Sequence, residues 1–263
     1  MTQSLAEYRA DHAVHHASLT MDDDPDQKDL GRLGIVPGLP RQEYPRRLVR
    51  ALVSPRLIAH TVARRISRNF APRRRPLRTA CFAGFQALLL LFAVGWSLRV
   101  DGPAPLIAWA VSWALPLTIG HHMSMVLYAL GLHAWFKESE EPGWSGYAEK
   151  TGARFFVDRT PDPAPWTPTH LRAWARWWIR FMFWHLVVGR FFVIGLTDNG
   201  CHDAHHADPA GRRFDWANAA YARADMLDGS PLARAHFWHT WTLGEAIAQN
   251  FDQLAQEARG GVR

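Results

Sequence analysis

The chain has 263 residues, with 30 Lys and Arg against 24 Asp and Glu, a formal net charge of +6. That length allows one substantial domain, and a complement of two cysteines, Cys81 and Cys201, excludes a disulfide framework and suits a reducing compartment. A mean hydropathy of −0.19 averages over strong local contrasts, and 13 Trp and 14 Phe are many for this length, as in the aromatic belts at lipid interfaces.

The first twenty residues are polar and hold His12, His15 and His16, so they predict no cleavable signal peptide. Residues 5–19 predict a short helix carrying "DHAVHH", and "MDDDPDQKDLGRLG" an acidic turn that ends it through Pro25 and the later glycines. Residues 41–78 contain twelve Arg and a single acid, Glu43. Such a run can bind nucleic acid, but no nucleic-acid motif accompanies it and it leads straight into an apolar stretch. A cytoplasmic juxtamembrane segment held on anionic headgroups is the favoured reading. Residues 44–70 would then form a helix in the headgroup plane, with Asp22, Asp23, Asp24 and Asp26 expected to pair with its arginines.

Residues 77–98 carry no charge between Arg78 and Arg99 and are long enough to cross the hydrocarbon core. The turn "RVDGP" follows at 99–103, with Pro103 suited to opening the next helix. Residues 104–132 are again free of charged side chains, though His121 and His122 fall toward the far end. Two antiparallel transmembrane helices joined by a short outer turn are expected, which returns the chain after about residue 133 to the side on which it began. Residues 171–196 are aromatic and apolar but interrupted by Arg172, Arg176, Arg180, His185 and Arg190. That many ionisable groups suits an interfacial or core-packed helix rather than a lipid-facing span. Residues 229–258 predict a C-terminal amphipathic helix with a surface or packing role.

The organisation expected is one domain: a cytoplasmic histidine cluster and basic interfacial segment at 1–76, two transmembrane helices at 77–132, and a cytoplasmic or interfacial region at 133–263. The fold class is all-α, a multi-pass integral membrane helical protein with a cytoplasmic histidine-lined helical cap.

The chemistry is concentrated in a repeated pattern. "HAVHH" at 12–16 and "HDAHH" at 202–206 are both HxxHH. With 14 histidines in the chain, roughly 0.04 chance occurrences are expected, so two are informative. On a helix, positions i, i+3 and i+4 share a face, so His12, His15 and His16 are expected to converge, as are His202, His205 and His206. Neutral imidazoles gathered in this way are transition-metal ligands. The hairpin between them puts both clusters in one compartment, as a shared site requires. The remaining histidines, His60, His170, His236 and His239, read as surface or interface groups; His121, His122 and His185 are weaker ligand candidates.

These residues resemble the membrane fatty acid desaturases and their hydroxylase relatives, the histidine-box non-haem di-iron oxygenases. "YRADHAVHHASLTMDDDPD" at 8–26 is similar to the family's second box with its trailing acidic stretch. "LTDNGCHDAHHADP" at 196–209 is similar to its third box. Between the two boxes the family places two transmembrane helices and a further histidine soon after them, which "LYALGLHAWF" matches with His133. The family's first box, HxxxH or HxxxxH upstream of the second, has no counterpart in these residues. The resemblance implies two iron ions held by His12, His15, His16, His202, His205, His206 and His133. Asp198 and Asn199 are candidates to orient third-box imidazoles, with helix capping the equal alternative. The resemblance also implies oxygen-dependent desaturation of a fatty acyl or lipid chain, with electrons from ferredoxin, cytochrome b5 or a similar carrier, and no nucleic-acid partner. A hydroxylase on the same scaffold, a truncated and inactive relative, and a histidine-rich zinc protein are the alternatives.

Overall fold

The computed structural model describes residues 5–19, 24–70, 75–135, 144–154, 161, 167–183, 201–207 and 219–260. Among them are α1 (Leu5–Ala17), α2 (Pro25–Arg32), α3 (Glu43–Val53), α4 (Pro55–Phe70) and α5 (Pro76–Arg99). There follow α6 (Ala104–Leu132), α7 (Trp144–Thr151), β1 (Ala153–Arg154), α8 (Pro168–Phe183), α9 (His202–Ala207), α10 (Ala219–Gly229), α11 (Pro231–His236), β2 (His239–Thr240) and α12 (Leu243–Gly260). The protein is mostly helical; its sheet is one parallel contact pairing Ala153 with His239 and Arg154 with Thr240.

Helices α5 and α6 are long and apolar enough to cross a membrane, and only 11% and 6% of their most apolar windows are buried. A core helix of a soluble protein would bury its apolar side chains. They form a hairpin whose turn places Asp101 at φ 49°, tied by Trp113 Nε1–H donating to Gln86 Oε1 at 2.8 Å and by Phe85 packed edge-on against Trp113. Helix α6 contains Pro116, which lacks an N–H for the helical ladder, and it widens there into π-helical turns at Ala110–Ala114 and Pro116–Gly120. The N–H of His121 reaches back five residues to the Pro116 carbonyl. The Leu117 carbonyl accepts a hydrogen bond from Arg65 of α4 at 2.8 Å, which ties the basic segment to the hairpin.

Two expected elements differ. Residues 44–70 form two helices, α3 and α4, because Pro55 forces the preceding Ser54 to an extended ψ of 115°. From Pro25 to Arg32 the acidic stretch is a helix rather than a turn. The Asp24 side chain accepts from the Asp26 N–H, and Pro25 occupies the first turn, an N-cap and first-position pair that starts helices. The basic segment does find an acidic partner in this stretch, but it is Asp29, which takes Arg64 through both oxygens at 2.8 and 3.0 Å.

The C-terminal region is not one helix over 229–258. It comprises α11, β2 and α12, and α12 is a core element: Ile247, Phe251 and Leu254 pack with Leu30, Tyr44, Leu130 and Trp135. A second cluster joins Cys201 and, on α9, Ala204 to Ala148 of α7 and to Ala233 and Phe237. Gly152 closes this side, at φ +65°; a Cβ there would stand 2.6 Å from the Trp238 ring. Both conformation and space therefore demand glycine.

Candidate metal centre

The two HxxHH helices, α1 and α9, meet although 193 residues separate His12 from His205. The rings do not converge box by box, as the spacing suggested. His12, His16 and His205 form one group, and His15, His133 and His206 another, the ligand atoms within each lying within 4.8 Å of one another. His202 joins the second group, its Nε2 3.4 Å from that of His133. The split follows from helical geometry: at 3.6 residues per turn, His16 lies about 40° to one side of His12 and His15 about 60° to the other. Each centre therefore takes the i,i+4 pair of one box and the i+3 member of the other. All seven predicted ligands are accounted for in these two groups. Asp198, Asn199 and His185 lie outside the described residues.

The outer group, at the half-buried rim, is an almost regular triangle. Its Nε2 atoms stand 3.1 Å apart for His12 and His205, 3.0 Å for His12 and His16 and 3.1 Å for His16 and His205. A neutral imidazole nitrogen is either an N–H or a lone pair, and three atoms taken pairwise cannot alternate the two. At least one edge then sets like against like. A cation at the centre accepts all three lone pairs and removes the conflict. Adjacent nitrogens bonded to one ion at about 2.0–2.1 Å stand roughly 2.8–3.4 Å apart, so the spacing fits. Burial, and then the neighbouring His205, His12 and His15, lower the pKa of His16 to about 3. Burial, with His12 and His15, lowers that of His205 to about 4. Both rings are neutral at pH 7, the form a metal needs.

The inner group is enclosed: His15, His133, His202 and His206 are all buried. His15 and His133 present Nε2 atoms 3.0 Å apart. In the buried ring of His206, neither nitrogen has a hydrogen-bond partner among the described residues. An unsatisfied buried polar atom costs about 1–3 kcal/mol, and an ion at the inner centre would take the lone pair of one of the two. Burial first, and then His202, His133, His16 and His15, push the His206 pKa well below its usual value.

Residues outside the motifs hold these rings in place. Asp24, fully buried, accepts from His15 Nδ1 at 2.9 Å, which leaves the Nε2 lone pair directed at the inner centre. Burial pulls the His15 pKa down most strongly, but the hydrogen bond to Asp24 and the charges of Asp26 and Asp24 together leave it raised. Within the acidic stretch Asp24 serves His15, with Asp26 3.7 Å from the same nitrogen; Asp22 and Asp23, expected with them to pair with the arginines, lie outside the described residues. His133 follows the last residue of α6 in extended conformation. Asn250 of α12 fixes it, donating to the carbonyls of Leu130 at 2.6 Å and His133 at 2.7 Å and accepting from the Trp135 N–H at 3.0 Å. In α9, Asp203 is buried and takes the Arg223 guanidinium through both oxygens, with contacts of 2.8 to 3.2 Å. Asp24 was in view as an arginine partner, whereas Asn250 and Arg223 carry no sequence signal, because their partners lie in other elements.

The remaining histidines divide clearly. His122 is buried, its Nδ1 2.9 Å from Thr61 Oγ1 and its Nε2 2.8 Å from the Ala51 carbonyl, so it holds α4 and α3 against α6. His236 Nδ1 lies 2.9 Å from Glu149, as suits an interface group. His60 and His121 line a cavity of about 320 Å³ that also touches His12 and His15 and has Met125, Val126, Ala129 and Leu132 along one wall.

The donor set is therefore seven imidazoles in two adjacent groups, neutral where their shifts are lowered and backed by a buried carboxylate. This is chemistry suited to binding one or two transition-metal ions. No protein-family model, curated protein or solved structure matches this chain.

Proposed function

We propose that the chain is a multi-pass membrane oxidoreductase of the fatty acid desaturase and hydroxylase type, carrying two non-haem irons on the cytoplasmic side. The observation that carries this reading is the interleaving of the two HxxHH boxes into two adjacent all-histidine groups beside a hairpin of exposed apolar helices. His12, His16 and His205 would hold one ion, and His15, His133, His202 and His206 the other. Iron held there would supply, from molecular oxygen and an external electron donor such as ferredoxin or cytochrome b5, the oxidising power to attack an unactivated C–H bond.

The chain's own contribution is position and exclusion of water. An acyl chain offers no polar handle near the reacting carbon, so its placement must come from an apolar wall. Met125, Val126, Ala129 and Leu132 of α6 supply such a wall within reach of His12 and His15. Asp24 holds the His15 proton on Nδ1, away from the centre. The excess of arginine before α5 supports a cytoplasmic side for the cap.

The test is reconstitution in nanodiscs with ferrous iron, a reduced ferredoxin system and oxygen. Lipid products that have lost two hydrogens support the desaturase, and products that have gained one oxygen support the hydroxylase on the same centre. Iron that binds at both groups yet consumes no oxygen would contradict the oxidoreductase reading while leaving the metal centre intact.

A further inference from the structure

Helix α8 is absorbed by neither the histidine centre nor the hairpin. Its sequence, PTHLRAWARWWIRFMF, contains no acid, and none of its residues is buried. Leu171, Trp178, Ile179, Met182 and Phe183 are exposed at 53, 46, 70, 42 and 58%. At about 100° per residue, Arg172, Arg176 and Arg180 fall on one narrow stripe, each exposed. Leu171, Trp178, Ile179 and Met182, all exposed, fall on a broad arc beside it. The Trp178 ring on that arc lies edge-on to Phe181 at 5.4 Å.

We infer that α8 lies in the plane of an anionic lipid surface, its apolar arc inserted at headgroup depth and its arginine stripe on lipid phosphates. This inference rests on the membrane reading of the hairpin. Two observations select a bilayer over a protein groove or nucleic acid. An exposed apolar arc carrying Trp178 beside an arginine stripe is the pattern of interfacial helices, in which Trp sits between water and hydrocarbon. The charge is wholly basic, complementary to an anionic leaflet. The same feature explains why arginines recur through an apolar stretch without forming a span: they mark one edge of a helix that lies on the surface.

The experiment uses the full chain in nanodiscs of phosphatidylcholine, alone or with about a third phosphatidylglycerol, and a nitroxide label at Ile179→Cys in a Cys81→Ser background. Collision with dissolved oxygen reports lipid, and collision with a water-soluble nickel chelate reports solvent. A second label at Leu91→Cys serves the hairpin. With anionic lipid the 179 label should favour oxygen severalfold over nickel. The combined Arg172→Gln, Arg176→Gln and Arg180→Gln variant should return it toward water there and change little in phosphatidylcholine alone. A 179 label in water in both lipids, or one shielded from both reagents by protein, overturns the inference whatever Leu91 reports. A Leu91 label in water overturns the spanning hairpin instead.

Discussion

In the cap, His15, His133, His202 and His206 are exposed by only 4, 0, 3 and 2%, while in the hairpin Leu88, Leu91 and Phe92 are exposed by 66, 65 and 65%. A water-soluble protein inverts both figures, burying leucine and leaving histidine wet. On the proposed reading, each region is completed by something other than water. Buried imidazoles are tolerated when they stay neutral and their lone pairs are used, and leucines are tolerated outside when the surrounding medium is hydrocarbon. The cap also invests buried polar side chains in holding its rings. Asp24, Asn250 and the Asp203–Arg223 pair all lie within it.

The comparison breaks most visibly at His206. His206→Ala should weaken metal binding at the inner centre by more than about 100-fold, since it removes a ligand rather than a supporting group. His205→Ala should do the same at the outer centre alone. Competitive titration with a chelator of known affinity separates the two, and equal loss at both centres from either change would argue against two groups.

The hairpin half is sharpened by Leu91→Arg. Arginine at the middle of a membrane helix costs about 3 kcal/mol of insertion, near 100-fold in the inserted fraction. The same change at an exposed position facing water would be neutral to within about 0.5 kcal/mol. Glycosylation mapping of the loops on either side of α5 reads the outcome.

Asp24 provides a smaller effect and a finer distinction. Asp24→Ser keeps an N-cap for α2 but is too short to reach His15, so the inner centre should lose about 10- to 100-fold in affinity with the outer centre unchanged. Asp24→Asn, which can still accept from His15, should fall between. If Asp24→Ser binds metal as well as the parent chain, the carboxylate serves only the cap.

The mildest test is acid on the metal-free protein. His16, His205 and His206 have lowered folded-state pKa values, so between the unfolded value near 6.5 and about 4 the unfolded chain binds more protons. Stability therefore falls as pH drops through that window. His15, raised by Asp24 and Asp26, opposes this: its contribution is full below the unfolded pKa and fades as pH rises through the folded one. Three lowered groups against two raised, His15 and Asp26, predict a thermal midpoint that declines from pH 7 toward pH 4.5. A flat profile would show the rings to be hydrated rather than enclosed.

Much of this was readable in the residues. The hairpin ends fall within two residues of the apolar run's limits, because a charge-free stretch bounded by Arg78 and Arg99 permits few alternatives. The six box histidines stood out by their spacing, and His133 by the resemblance to the histidine-box family, which places a further histidine after two transmembrane helices. The division of each box between two centres was available from the 100° helical step but was hidden by treating i+3 and i+4 as one face. The break at Ser54–Pro55 and the start of α2 at Asp24–Pro25 were signalled locally and outweighed by periodicity and acidity. What no local pattern supplies is the supporting set. Asn250 reaches carbonyls 117 and 120 positions away, and Arg223 meets Asp203 20 positions earlier; such pairs exist only once the helices pack.

The most direct measurement counts iron per chain after anaerobic loading of the purified, lipid-embedded protein and removal of loosely held metal. About two ions should remain, falling to about one with His205→Ala. Retention of none, or retention unchanged when His205 and His206 are both Ala, would contradict the two histidine centres.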